Sequence, residues 1–116
     1  MSALSDMVQG IFGGVPAEHA IGPLSQIPRG EGRNFEIGGR VVAVFRTHQD
    51  EVFASQATCP HKQGPLADGM LGGTTLMCPL HDRTYDLRTG KVLAGECDIA
   101  VYPVRRNEDG TLVVTV

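Results

Sequence analysis

The chain lacks the raw material for several classes of protein. Its formal net charge of −3 leaves no basic footprint for nucleic acid or an anionic membrane surface. No apolar run approaches the roughly 20 residues needed to span a bilayer. No Lys or Arg precedes Arg29, so the N-terminal stretch fits neither a secretory signal nor an Arg-rich transit peptide. There are three cysteines, an odd number, and two of them stand in a metal-like pattern. That argues against a disulfide scaffold and for a reducing interior, and we expect a cytoplasmic protein. Nor is there a sustained apolar period of 3.6 residues, a Gly-rich dinucleotide fingerprint, a supported Ser-His-Asp arrangement or a spare ligand set for a mononuclear iron.

What is present is a single domain's worth of chain. With 116 residues and 41% hydrophobic content it can bury a core without disulfides. Its 15 glycines point to many tight turns. Residues 1–22 show no convincing period and read as an N-terminal extension, with a short helical turn possible at Ser5–Gln9. The domain proper is expected over residues 23–116. There, short strands follow one another: Asn34–Ile37 and Arg40–Arg46 around a Gly38-Gly39 turn, Val52–Ser55, a second hairpin bent at Gly72-Gly73, Thr84–Leu87, Val92-Leu93, Ile99–Arg105 and Thr111–Val116. Glycine pairs supply the positive φ that a two-residue hairpin turn requires. The strand at Arg40–Arg46 is apolar at nearly every position and is expected to be covered on both faces. The fold class is all-β, of short antiparallel strands in a sandwich or small barrel.

The chemistry concentrates between residues 59 and 81. Cys59-Pro60-His61 and Cys78-Pro79-Leu80-His81 place one Cys and one His in each of two loops, with sixteen residues between His61 and Cys78. Each loop follows a strand, and the residues between form a hairpin, so both loops are expected at one tip. Pro60 and Pro79 stiffen each loop directly after its cysteine, while Gly64 permits a sharp bend. Two thiolates and two imidazoles suit zinc, or a 2Fe–2S cluster with two His on one iron. Structural zinc sites more often take Cys-Cys or His-His pairs from one segment. His19 and His48 lie outside the pattern and read as bystanders, and Cys97 as an inert thiol.

The pattern C-P-H-x16-C-P-x-H resembles the Rieske family of 2Fe–2S proteins. Gly64-Pro65-Leu66, Tyr85-Asp86-Leu87-Arg88-Thr89-Gly90 and Tyr102-Pro103-Val104 add to the resemblance, which spans about Leu24 to Val116. It implies a Rieske-type fold with two cluster-binding loops at one tip and one 2Fe–2S cluster per chain. Cys59 and Cys78 would bind one iron, and His61 and His81 the other. Respiratory members carry a further Cys in each loop, joined as a disulfide; Gly64 and Leu80 stand at those places here. They also follow the second His with a Ser and a Tyr that hydrogen-bond cluster sulfurs. Arg83 takes the Ser position, and Tyr85 keeps the phenol, which we expect near the sulfur of Cys59. One donor kept and one lost implies a potential in the lower part of the Rieske range, near roughly −150 mV and raised somewhat by Tyr85.

Such a chain moves one electron at a time and has no catalytic site of its own. The loop phrases Cys59–Leu66 and Cys78–His81 most resemble the small subunit of NAD(P)H-dependent nitrite reductase. The alternative within the family is the ferredoxin component of an aromatic-ring dioxygenase. Its partner would accordingly be a large reductase subunit, or an oxygenase together with a flavin reductase. Outside the family stands a zinc-stabilised, non-redox binding module. Lys62, Leu80 and Arg83 surround the expected tip and are the candidate docking residues for the redox partner.

Overall fold

The computed structural model describes residues 16–60, 64–79 and 83–116. In chain order its strands are β1 (Glu18–Pro23), β2 (Glu31–Ile37), β3 (Arg40–Arg46), β4 (Val52–Gln56), β5 (Met70–Gly72), β6 (Thr75–Met77), β7 (Thr84–Asp86), β8 (Val92–Ala94), β9 (Val101–Tyr102), β10 (Val104–Arg106) and β11 (Thr111–Thr115). Two single 3-10 turns, Leu24–Gln26 and Leu66–Asp68, interrupt them; the described residues contain no α-helix. The strands form three antiparallel sheets, ordered β1-β11-β10, β2-β3-β4-β9 and β5-β6-β7-β8. The all-β expectation therefore holds.

Turn chemistry sets the first hairpin. Ile37 pairs with Arg40, leaving Gly38 and Gly39 as the turn at φ +58° and +82°, a conformation that a Cβ would strain. The second hairpin turns one residue later than its glycine pair suggests. Gly72 pairs with Thr75, so Gly73 and Thr74 make the turn and only Gly73 takes the positive φ.

β3 is the wall between two cores. Val42 and Val44 pack into a cluster with Ile27, Ile37, Ala54, Leu112 and Val114. Ala43 and Phe45, on the opposite face, pack into a second cluster with Leu66, Leu76, Tyr85 and both loop cysteines. All four of these β3 residues have no exposed surface, as their unbroken apolar run implies. Opposite Phe45 stands Gly32, where a Cβ would come 2.6 Å from the Phe45 ring. The ring fills the space that a side chain would need.

Two strand expectations differ from the structure. The stretch Ile99–Arg105 is not one strand, because Pro103 has no N–H for a ladder. The chain changes sheets there: β9 pairs with β4, and β10 with β11. Residues 18–22, which the sequence reading places in the extension, belong to β1 and pair with β11. A bulge between Ala20 and Gly22 shifts the side-chain alternation and hides the strand's period. The possible turn at Ser5–Gln9 lies outside the described residues.

A polar knot fixes the β3–β4 turn. Asp50 sits at φ +66°, and its carboxylate accepts from Arg29 at 2.8 and 3.0 Å and from Arg46 at 2.9 Å. Arg46 also donates to the Ile27 carbonyl at 2.9 Å, tying the turn to the start of β2. Hydrogen bonds from Arg29 and then Arg46 hold the Asp50 carboxyl far below the usual carboxylate range. A depressed folded pKa contributes stability that is present in full above the unfolded value of about 4 and is lost progressively as pH falls from there through the much lower folded value. Asp50→Asn keeps a residue tolerant of positive φ but removes the charge. We expect it to melt at a lower temperature than wild type at pH 7, with the gap closing below about pH 4. Thermal melts across pH check this; a gap that does not narrow between pH 7 and pH 2 would place the effect in the backbone instead.

Candidate metal centre

Two loops built alike meet the second core. In the first, the Cys59 N–H donates to the Gly64 carbonyl at 2.8 Å; in the second, the Cys78 N–H donates to the Arg83 carbonyl at 2.8 Å. Each loop is thus closed by the same hydrogen bond, from its cysteine to the residue five positions on. A Thr58–Pro65 bridge and the Leu66 N–H on the Ala57 carbonyl at 2.9 Å anchor the first loop further. Pro60 and Pro79 stand exposed directly after the cysteines. The fixed φ of proline limits the freedom of each loop where it leaves the core.

Cys59 and Cys78 are 0% and 2% exposed and belong to one apolar cluster, and neither forms a disulfide. Tyr85, also fully buried, enters the same cluster from β7, an inner strand of its sheet. Its hydroxyl lies 3.4 Å from Cys59 Sγ, where the sequence reading expects it. Burial pushes the phenol's pKa well above its usual range, followed by the hydrogen bond to Cys59 and the charges of Cys59 and Cys78. The phenol therefore stays protonated and is available as a donor to a thiolate sulfur.

Other candidate residues divide. His61, Lys62, Leu80 and His81 lie outside the described residues. Arg83, a candidate docking residue, donates from Nη2 to Glu96 Oε1 at 3.0 Å, with its side chain 19% exposed. That ion pair is absent from the sequence reading, since nothing in a separation of thirteen residues signals it. Cys97 is exposed, unlike the two buried cysteines. No helix among the described residues is long and apolar enough to cross a membrane.

Two thiols in one apolar core, brought there by separate closed loops and met by a neutral donor, suit a bound metal group. Ionised thiolates would be costly in that core without a cation to bind them. The donor set also fits a soft, sulfur-preferring centre better than a hard one.

The profile of the Rieske [2Fe-2S] domain matches residues 17–113. The chain belongs to the Rieske family. Its cofactor is a Rieske 2Fe–2S cluster, and the zinc-module alternative falls away. The match begins at residue 17, at the entry to β1. Among relatives, the ferredoxin component of the naphthalene 1,2-dioxygenase/salicylate 5-hydroxylase systems of Ralstonia sp is 33% identical over 84 residues, covering 71% of this chain and 80% of that protein. The ferredoxin of carbazole 1,9a-dioxygenase from Nocardioides aromaticivorans IC177 superposes with a TM-score of 0.74 at 28% identity, covering 86% of this chain and 96% of that one. A structure from Mycobacterium tuberculosis, described as an NADH-dependent nitrite reductase small subunit, superposes with a TM-score of 0.80 at 20% identity, covering 88% and 96%. At that identity the last likeness speaks to the fold alone. The chain is a Rieske-type electron-transfer protein.

Purified protein is expected to be red-brown, with two irons and two acid-labile sulfides per chain. Metal and sulfide analysis checks this, and a colourless protein holding stoichiometric zinc would contradict it.

Proposed function

We propose that this chain carries single electrons on a cluster held by Cys59 and Cys78 at one iron and His61 and His81 at the other, and delivers them to a terminal oxygenase. The observation that carries the ligand assignment is the pair of buried cysteines, each at the start of an identically closed loop, with the Tyr85 phenol on one sulfur. When bound, the cluster supplies one-electron oxidation and reduction. The chain's own part is to exclude water from the thiolate side, hold the loops in shape and keep a proton on Tyr85.

Sequence similarity supports the oxygenase partner. Ferredoxin components of ring-oxidising systems share about a third of their residues with this chain over most of its length, and one solved relative is a complex of oxygenase and ferredoxin. A second reading, the small subunit of NAD(P)H-dependent nitrite reductase, is favoured by the loop phrases Cys59–Leu66 and Cys78–His81. Docking would occur at the cluster tip through Lys62, Leu80 and Arg83. With Arg83 paired to Glu96, the charge that steers encounter there falls mainly to Lys62.

Reconstitution separates the two systems. Reduced protein is expected to support turnover with a ring-hydroxylating oxygenase and not with a sirohaem nitrite reductase subunit; the reverse result would favour the second reading. In the productive pairing, Lys62→Glu is expected to slow electron delivery at low salt, with the difference shrinking as salt is raised. Equal rates at low salt would move docking to another surface.

Tyr85→Phe tests the phenol's role. Losing a hydrogen bond that favours the reduced cluster, worth about 1 kcal/mol, is expected to lower the potential on the order of tens of millivolts. Protein-film voltammetry reads this directly. An unchanged potential would show that the hydroxyl does not act on the cluster.

A further inference from the structure

The two loops that carry the buried cysteines are joined through the β5–β6 hairpin. Its outermost pair is Met70 with Met77, and its turn lies at the far end, at Gly73 and Thr74. Gly69 stands one residue before Met70, and Cys78 one residue after Met77. The exit of the first loop and the entry of the second therefore meet at the open end of this hairpin.

At Gly69 the two backbones leave no room for a side chain. A Cβ there would come 2.4 Å from the Met77 carbonyl oxygen, 2.8 Å from Leu76 Cδ1 and 3.1 Å from the Leu66 carbonyl oxygen. Two of these three atoms are backbone and cannot rotate away. Conformation does not call for glycine here, because Gly69 takes φ −71° and ψ 171°, a region open to any residue. What glycine supplies is close approach. The turn that precedes it has little freedom to retreat. The Gly69 N–H donates to the Leu66 carbonyl at 2.9 Å, and the Leu66 N–H donates to the Ala57 carbonyl at 2.9 Å. On its other side the turn meets β2, where a Cβ on Gly32 would come 3.1 Å from the Ala67 carbonyl oxygen.

We propose that Gly69 is a positioning residue for the cluster: by letting the exit of the first loop rest on the backbone directly before Cys78, it sets the separation of the two loops. This rests on the cluster assignment of the previous subsection. Ligands to a metal group must converge to within a few tenths of an ångström. A methyl group at residue 69 reaches ordinary contact distance only if Met77 or the Leu66–Asp68 turn moves by about 1 Å. The first movement carries Cys78 with it, and the second carries the end of the first loop. Either one changes the spacing of the loops while the residues of both cores stay the same.

The test compares Gly69→Ala with Gly39→Ala, both purified with cluster. Gly39 turns the β2–β3 hairpin at φ +82° with nothing within 4 Å of a Cβ. Alanine there strains the backbone and lowers the melting temperature without touching either loop. Gly69→Ala is expected to hold its iron against a chelator about tenfold less well than wild type, in the range for residues that support metal ligands. Its reduced cluster is expected to show shifted g values in electron paramagnetic resonance and a shifted midpoint potential. Gly39→Ala keeps both signatures at their wild-type values. Wild-type g values and potential in Gly69→Ala overturn the proposal, whatever its melting temperature, and so does an equal shift in Gly39→Ala. Should Gly69→Ala not fold, Gly32→Ala decides in its place, since it presses the same turn from the other side. Shifted g values in that variant support the proposal, and unchanged ones overturn it. A wild-type protein without iron would overturn the cluster reading instead, before any variant is made.

Discussion

Val42, Ala43, Val44 and Phe45 have no exposed surface, and consecutive strand residues point to opposite sides. The two cores of the molecule are therefore built on opposite faces of the same four residues. On one side Val42 and Val44 meet Leu112 and Val114 of β11. On the other, Ala43 and Phe45 meet the cysteines and Tyr85. Burying a Val or Phe contributes about 1.5–3 kcal/mol, whereas one loop hydrogen bond contributes about 1 kcal/mol. Packing against β3 therefore decides where the first loop sits, and its backbone bonds decide what shape it holds there. The packing is close at Gly32, since a Cβ at that point would meet both the Phe45 ring and, at 3.1 Å, the Ala67 carbonyl just past the loop.

The same burial creates an electrostatic problem. A thiol in an apolar core resists ionisation, yet a metal centre requires the thiolate. A cluster held by these cysteines would resolve the conflict by supplying positive charge at the sulfur. The protein adds a phenol that stays neutral because it is buried beside those sulfurs. Burial thus opposes the loops' ionisation when empty and strengthens the Tyr85 donor when they are filled. Cluster binding and loop order are coupled for that reason.

Much of this was legible in the sequence because it is local or periodic. The Gly38-Gly39 turn, the unbroken apolar run of β3 and the Cys-Pro spacing each signal structure within a few residues. The placement of Tyr85 beside Cys59 was legible only through the family resemblance, since 26 residues separate them. What escaped notice depends on distant contacts. β1 has no clean alternation and becomes a strand because β11 offers it an edge. Asp50 reads as an ordinary polar turn residue until Arg29, 21 positions away, reaches it. Arg83 reads as a free cation until Glu96 closes on it.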